Sequence, residues 1–177
     1  MIKKLTIPVD HGNRNMKTTH FLFTTGLSST DRKPAGREDF LQTDGKYYVL
    51  SGKRIPYQRD KTQDERFSIL TRFAIAKELE RTGQVSEEDV VQVSLPIGVP
   101  PKHYAELAER YREYFLGDGK VQELVYNGRT YHTCIQDVAV YPQAYAAMMT
   151  EGEKIRQIPK AVGIDIGGFT SDFLLMR

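Results

Sequence analysis

"IPVDHGNRNMKT", residues 7–18, joins an apolar approach to a carboxylate at Asp10, a polar turn around Gly12 and a lysine at Lys17. A surface turn needs only the glycine and one asparagine or aspartate. A counterpart lies near the far end of the chain, "GIDIGGFTSD" (163–172), where Asp165 falls on Asp10 and Gly167 on Gly12. Each aspartate follows an apolar strand pattern, and a second strand pattern follows each turn. The two aspartates stand 155 residues apart, far beyond the period of a solenoid. Such a pair fits two similar half-domains facing one another with a ligand between their turns. Taken singly, Asp10 and Asp165 read as turn caps and Lys17 as an outward, solvated lysine. Only the joint arrangement points to a site.

The chemistry that needs this arrangement is phosphate with magnesium. Glycine lets backbone N–H groups come close to phosphate oxygens, and an open turn offers several at once. Lysine adds a point charge for the outer phosphates. Carboxylates from two sides suit Mg²⁺, which keeps most of its waters and takes one or two protein oxygens. Other phosphate motifs are absent: "GKY", "GKR" and "GKV" lack the Ser or Thr of a P-loop, and the chain has no GxGxxG and no GxSxG elbow.

Bulk composition agrees with one well-packed domain, with room for a small appendage. The 177 residues are 40% hydrophobic and 27% charged, as in an ordinary globular protein. A net charge of +2 gives no nucleic-acid footprint by field alone, so direct nucleic-acid contact is not expected. Basic residues thicken at "GKRIPYQRDK" (52–61), which reads as a solvated loop. Cys134 is the single cysteine, which excludes an internal disulfide and reads as a buried, inert thiol; His132 beside it gives no zinc spacing. The start "MIKKLTIPVD" has the pattern of neither a signal peptide nor a membrane anchor, and a cytoplasmic location is expected.

Working outward, "KKLTIPV" and "MKTTHFLF" read as paired strands, with Pro8 marking an edge, a bulge or a strand end. Asp44-Gly45 and Asn127-Gly128 each predict a hairpin with a tight primed turn. Between them, "DKTQDERFSILTRFAIAKELERTG" predicts a helix with a Thr62/Glu65 capping box and a left-handed stop at Gly83. "DVVQVSLPIGVP" reads as a buried central strand, and Pro100-Pro101 open a helix whose stripe of Tyr104, Leu107, Tyr111 and Phe115 faces the core and ends at Gly117. "QAYAAMMTEGE" reads as a helix beginning near Pro142, with Gln143 an ordinary first-turn residue. The order predicts an α/β fold, a mixed sheet with helices packed on it, and residues 27–60 as a small inserted lobe.

Here the residues meet a family. "VDHGNRNMK" resembles the first phosphate loop of the actin-like ATPases and "GIDIGGFTSD" the second. With "YYVLSGKR" and "VSLPIG", they are most similar to the ParM/StbA-type plasmid-segregation proteins, in order from residue 5 to 177. The resemblance implies a ribonuclease-H-like fold: residues 1–159 as domain I, 27–60 as its outer subdomain, and 160–177 as the first strands of a truncated domain II. It implies ATP and Mg²⁺ as ligands, with Asp10 and Asp165 holding the metal through its water shell. Gly12, Asn13, Asn15 and Lys17 would line the phosphates from one side, and Gly167, Gly168 and Thr170 from the other. "VYPQAY" matches the segment whose Gln or Glu orients the attacking water, which makes Gln143 the candidate; His11 and Arg14 receive no role. Orienting water, rather than covalent chemistry, is what phosphoryl transfer asks of a protein.

The expected activity of the intact protein is ATP-dependent filament assembly that segregates plasmid-like DNA, with other protomers and a DNA-binding adaptor as partners and no membrane. The alternatives are a sugar- or acetate-kinase-like phosphotransferase, a cell-shape actin with another cargo, and a non-catalytic fragment that interacts with full-length filaments. The chain stops 12 residues after Asp165, so an N-terminal half of a larger protein is expected, with weak Mg-ATP binding and negligible turnover. Its closing strands would then fold back on the domain, pair with a second copy, or be poorly ordered.

Overall fold

A computed structural model describes residues 1–36 and 39–177. In chain order the strands are β1 (Ile2–Thr6), β2 (Asp10–His11), β3 (Asn15–Lys17), β4 (Leu22–Thr24), β5 (Leu27–Thr30), β6 (Phe40–Thr43) and β7 (Lys46–Leu50). Helix α1 (Arg66–Thr82) and β8 (Val90–Val99) follow, then a 3₁₀ turn (Pro101–His103), α2 (Tyr104–Leu116), β9 (Gln122–Tyr126) and β10 (Arg129–Pro142). The chain closes with α3 (Tyr145–Thr150), α4 (Gly152–Ile155), β11 (Ala161–Ile166) and β12 (Ser171–Met176). The result is a mixed α/β fold: a seven-stranded sheet ordered β1-β8-β10-β9-β6-β7-β5, a three-stranded sheet β2-β3-β4, and a two-stranded ribbon β11-β12.

Strands β1, β8 and β10 run parallel, with β8 in the middle, as its apolar run predicts. Their carboxyl ends therefore coincide at one edge, where Asp10, Pro100 and Gln143 emerge. That is the edge at which open α/β sheets bind ligands. The opening strand does not pair with the "MKTTHFLF" segment. Ile7 and Val9 donate to the carbonyls of Ser94 and Pro96, both at 3.0 Å, so the chain up to Val9 stays on β8. Pro8 falls between these two donors on the outer edge strand, where its missing N–H costs no ladder bond. Only beyond it does the chain turn, and β2 then pairs with β3, and β3 with β4.

Both primed turns form as the sequence predicts. Asp44 (φ 51°) with Gly45 (φ 76°), and Asn127 (φ 52°) with Gly128 (φ 88°), carry the paired positive φ values that match strand twist. The strands of 27–60 join the main sheet itself: β6 pairs with β9 through Leu41↔Tyr126 and Gln42↔Val125.

Helix α1 is buried on nearly all sides because it runs between two sheets. Phe73 meets Tyr126 of β9 edge-on at 6.2 Å, while Thr71 and Glu78 hold His11 and Thr18 of the small sheet's side. Gly83 ends α1 in the left-handed region at φ 61°. The Thr62/Glu65 capping box does not form. Thr62 turns to Asp60 instead, and the free N–H of Ser68 in the first turn finds the Tyr114 hydroxyl of α2 at 2.9 Å. A neighbouring helix thus supplies the acceptor that a local side chain would otherwise give.

A second correction concerns Pro142. It is the last residue of β10, and Ala144, at φ 66°, turns the chain into α3, so Gln143 lies in a strand–helix turn rather than inside a helix. The closing strands pair with each other through Val162↔Leu175 and Ile164↔Phe173 and fold back over the carboxyl edge. One face of this ribbon, Val162, Ile164, Ile166, Phe173 and Leu175, is exposed. Cys134 is buried on β10, as expected.

Candidate functional site

Two hairpins with one geometry face each other at the carboxyl edge. In the first, Asp10 pairs with Lys17 and His11 with Met16; in the second, Asp165 pairs with Asp172 and Ile166 with Ser171. The spacing across each turn is the same. So is the closure: a Cβ on Gly12 would lie 2.5 Å from the Asn15 carbonyl oxygen, and one on Gly167 would lie 3.0 Å from that of Thr170. Each turn folds its fourth residue's carbonyl onto the first residue's Cα, which leaves no room for a side chain at Gly12 and only a tight fit at Gly167. Turn closure thus requires glycine at position 12 and favours it at 167.

The loops touch. A Cβ on Gly168 would meet the Arg14 side chain at 2.6 Å, so that side chain lies across the bare face of the second loop. Between them opens a cleft of ≈ 360 Å³ lined by Gly12, Asn13, Asn15 and Lys17 from the first loop, and by Asp165, Gly167, Gly168 and Thr170 from the second. Gln143 reaches the same cleft from the end of β10. Its N–H bonds to the Val99 carbonyl at 2.8 Å, and its Cγ lies 3.1 Å from where a Cβ on Gly98 would sit. The bare surface of Gly98 is therefore the seat of the Gln143 side chain.

Asp10 lies just behind, in an adjoining apolar groove that also takes in Lys17, Gln143 and Asp165. Its Oδ2 accepts from Lys17 Nζ at 3.0 Å. The Lys17 amine is raised above its ordinary range, first by that hydrogen bond and the Asp10 charge, and further by the Asp165 charge. Carboxylates from both hairpins therefore act on one ammonium group. Asn13 has a different engagement: its amide donates to the Gln58 carbonyl and accepts the Gln58 N–H, both at 3.0 Å. Its side chain clamps the 52–61 segment to the first loop.

That segment is a loop, and Lys53, Arg54 and Arg59 are solvated as expected, but it is also anchored to the domain. Ile55, Gln58 and Lys61 are buried at every third position, and Tyr57, Arg59 and Lys61 line the cleft. With Arg14 and Lys17 they make a cationic wall, which suits a polyanion. Tyr57 packs against Phe169 of the second loop, ring centroids 5.7 Å apart, across the rim. His11, likewise unassigned by sequence, is fully buried beneath the first loop. The Thr71 hydroxyl donates to the Phe67 carbonyl at 2.7 Å, so it accepts from His11 Nε2–H, also at 2.7 Å. Burial, then the nearby Lys61 charge, holds the imidazole neutral, well below its ordinary range. A run of polar residues gives no sign of such burial; Phe67 of α1 and Phe115 of α2 pack against the imidazole, and their position is fixed only in three dimensions.

Among the described residues no group of three or more His, Cys, Asp or Glu is placed to hold a metal. Asp10 and Asp165 supply hard oxygen donors from two sides, without an all-protein cage. That donor set fits Mg²⁺, which draws its other ligands from water and phosphate. Among the described residues no helix is long and apolar enough to cross a membrane.

The family described as "Actin like proteins N terminal domain" matches residues 8–145. No curated protein matches the chain in sequence. In three dimensions the chain is similar to the apo pSK41 ParM protein, with a TM-score of 0.75 and 14% identity, covering 98% of this chain and 62% of that one. It is similar to the AlfA filament bound to AMPPNP, with a TM-score of 0.70, 14% identity, and 97% and 64% of the two chains covered. It also resembles the archaeal actin homologue Ta0583 in complex with ADP, at a TM-score of 0.69 and 17% identity, over 97% of this chain and 55% of that one. The chain thus spans less than two thirds of the length of these solved relatives. With the family pattern running through most of its length, from residue 8 to 145, the chain belongs to the actin-like proteins and carries their N-terminal domain.

Proposed function

We propose that the cleft binds ATP with Mg²⁺ between its two loops, and that the intact protein is an actin-like ATPase whose filaments segregate plasmid-like DNA. The observation that carries this reading is Lys17, an ammonium group held by Asp10 and acted on by Asp165, so that both hairpins converge on one charge. A polyphosphate entering between the loops would meet the cationic wall of Arg14, Lys17 and Arg59. The turns at Gly12 and Gly167 would present backbone N–H groups to it.

Asp10 and Asp165 would hold Mg²⁺, which when bound neutralises charge on the phosphate oxygens. Gln143, seated on Gly98, would orient a water for attack. Its amide has a donor and an acceptor, which is enough to align water without taking its proton. Self-association into filaments is proposed by likeness to the AlfA and Alp12 filaments, and a DNA-binding adaptor remains the expected second partner.

Calorimetric titration with AMPPNP and Mg²⁺ tests the cleft. Lys17→Met should lower affinity by about tenfold or more, the loss of one charge-assisted contact. Equal binding by the variant and the parent would refute the site. For the intact protein, ATP-dependent pelleting of filaments separates this reading from a soluble phosphotransferase.

A further inference from the structure

Two lysines reach the cleft, and they are built differently. Lys17 is half exposed and already bonded to Asp10. Lys61 is 3% exposed, lines the same cleft, and among the described residues its Nζ has neither a hydrogen bond nor a carboxylate within 4.0 Å. The Phe67 ring centroid is 5.7 Å from that amine. What little surface Lys61 keeps opens on the cleft, so an ammonium group that is costly to bury without a counter-ion has the cleft, and no close carboxylate among the described residues, to compensate it.

The position of Lys61 is fixed from several sides. Its backbone N–H is held by the buried Tyr111 hydroxyl at 3.1 Å. The preceding turn is closed by Asp60, which accepts both the N–H and the hydroxyl of Thr62. Three residues upstream, Asn13 of the first loop clamps the Gln58 backbone through the NH2 and the oxygen of its side-chain amide. The loop that would grip phosphate thus also fixes the segment that delivers the amine.

We propose that Lys61 is a second phosphate anchor of this site, an amine stored beneath the cleft without an internal counter-ion so that the polyphosphate of a bound nucleotide provides one. This rests on the reading of the cleft as a nucleotide site. Burial lowers the amine to about 8, while Asp10 and Asp172, one from each hairpin, pull it upward without touching it. Their placement puts Lys61 between the two loops, where a bridging anion would lie.

The test uses Lys61→Met and Lys61→Arg beside the parent chain. Affinity for AMPPNP with Mg²⁺ and for inorganic tripolyphosphate is measured by calorimetry, and the midpoint of ligand-free unfolding by circular dichroism. Lys61→Met should weaken both ligands by about tenfold or more. The ligand-free midpoint should hold or rise, because an apolar chain of similar length replaces an uncompensated amine. Lys61→Arg, which keeps the charge, should recover part of the affinity. Unchanged affinity in Lys61→Met overturns the assignment. So does a lowered midpoint at unchanged affinity, which would mark Lys61 as a latch between Asp10 and Asp172. Should Lys61→Met fail to fold, the Lys61 Nζ resonance of the parent decides: it should shift on adding tripolyphosphate, and a stationary signal overturns the proposal. If the parent binds neither ligand, the nucleotide reading of the cleft fails, and the anchor with it.

Discussion

Removing one oxygen atom from α2 should loosen the wall of the cleft. The Tyr111 hydroxyl is fully buried, accepts from Lys61 N–H at 3.1 Å and donates to the Arg59 carbonyl at 3.4 Å. Burial pushes that hydroxyl up to about 12, so it keeps its proton and its donor role across the working pH range. Tyr111→Phe keeps the ring and opens no cavity; what changes is the Lys61 N–H, left buried without an acceptor. Such an orphaned donor costs about 1–3 kcal/mol. The bond to Arg59 is long and its residue exposed, so water can replace it at little cost. The expected loss is then about 2 kcal/mol, which for a chain of this length lowers the midpoint by about 4–8 °C.

Thermal unfolding followed by far-ultraviolet circular dichroism measures this directly. The same scan on Asn13→Ala and on the double variant adds a second check. Asn13 and Tyr111 grip the same segment, three residues apart at Gln58 and Lys61. Their effects should therefore couple by about 0.5 kcal/mol or more instead of adding. A Tyr111→Phe midpoint within about 1 °C of the parent, or strict additivity of the pair, would refute the claim that these two side chains hold the wall.

Three further outcomes follow from the geometry. Asp64 is held at about 2, chiefly by hydrogen bonds from Arg66, so its contribution is complete above the ordinary carboxylate value and is lost as pH falls from about 4 to 2. The difference corresponds to about 2 kcal/mol unscreened and about 1 kcal/mol on so exposed a group, and Asp64→Asn should flatten that acid limb of stability. Gly98→Ala places a methyl group 3.1 Å from Gln143 Cγ, so ATP hydrolysis by the intact protein should fall by roughly tenfold or more. AMPPNP affinity and stability should hold, since alanine is no worse than glycine in a strand; loss of affinity instead would place Gln143 in binding. Gly12→Ala drives a methyl group to 2.5 Å from the Asn15 carbonyl and forces the first turn open. It should cost about 1–3 kcal/mol and remove AMPPNP binding, and a folded variant that still binds would show that this turn does not hold phosphate.

What the sequence discloses here is what neighbouring residues decide among themselves. Asn127-Gly128 and Asp44-Gly45 form their primed turns because two adjacent positive-φ residues suffice. Gly83 stops α1 for the same kind of local reason. The paired loops could be read because Asp, Gly and strand stand at equal offsets in both hairpins. The misread features depend on distant partners. Thr62 and Glu65 spell a cap, but a tyrosine of α2 reaches Ser68 first. The opening strand reads as half of a hairpin, yet Ile7 and Val9 stay on β8, a partner far along the chain. Lys61 is the sharpest case, because nothing in "YQRDKTQ" distinguishes a lysine buried beside the Phe67 ring from one in water. Asp172 carries no local signal, because its place opposite Asp165 depends on strand register.

The ribbon that closes the chain has a practical consequence for how any of these variants is assayed. Val162, Ile164, Ile166, Phe173 and Leu175 stand on one side of a two-stranded surface that is already folded, with Ile166 80% accessible. Environment-sensitive dyes such as ANS report oily surface rather than disorder. The native chain should therefore light them up while cold, and a dye-based melting curve would register a folded protein as partly molten.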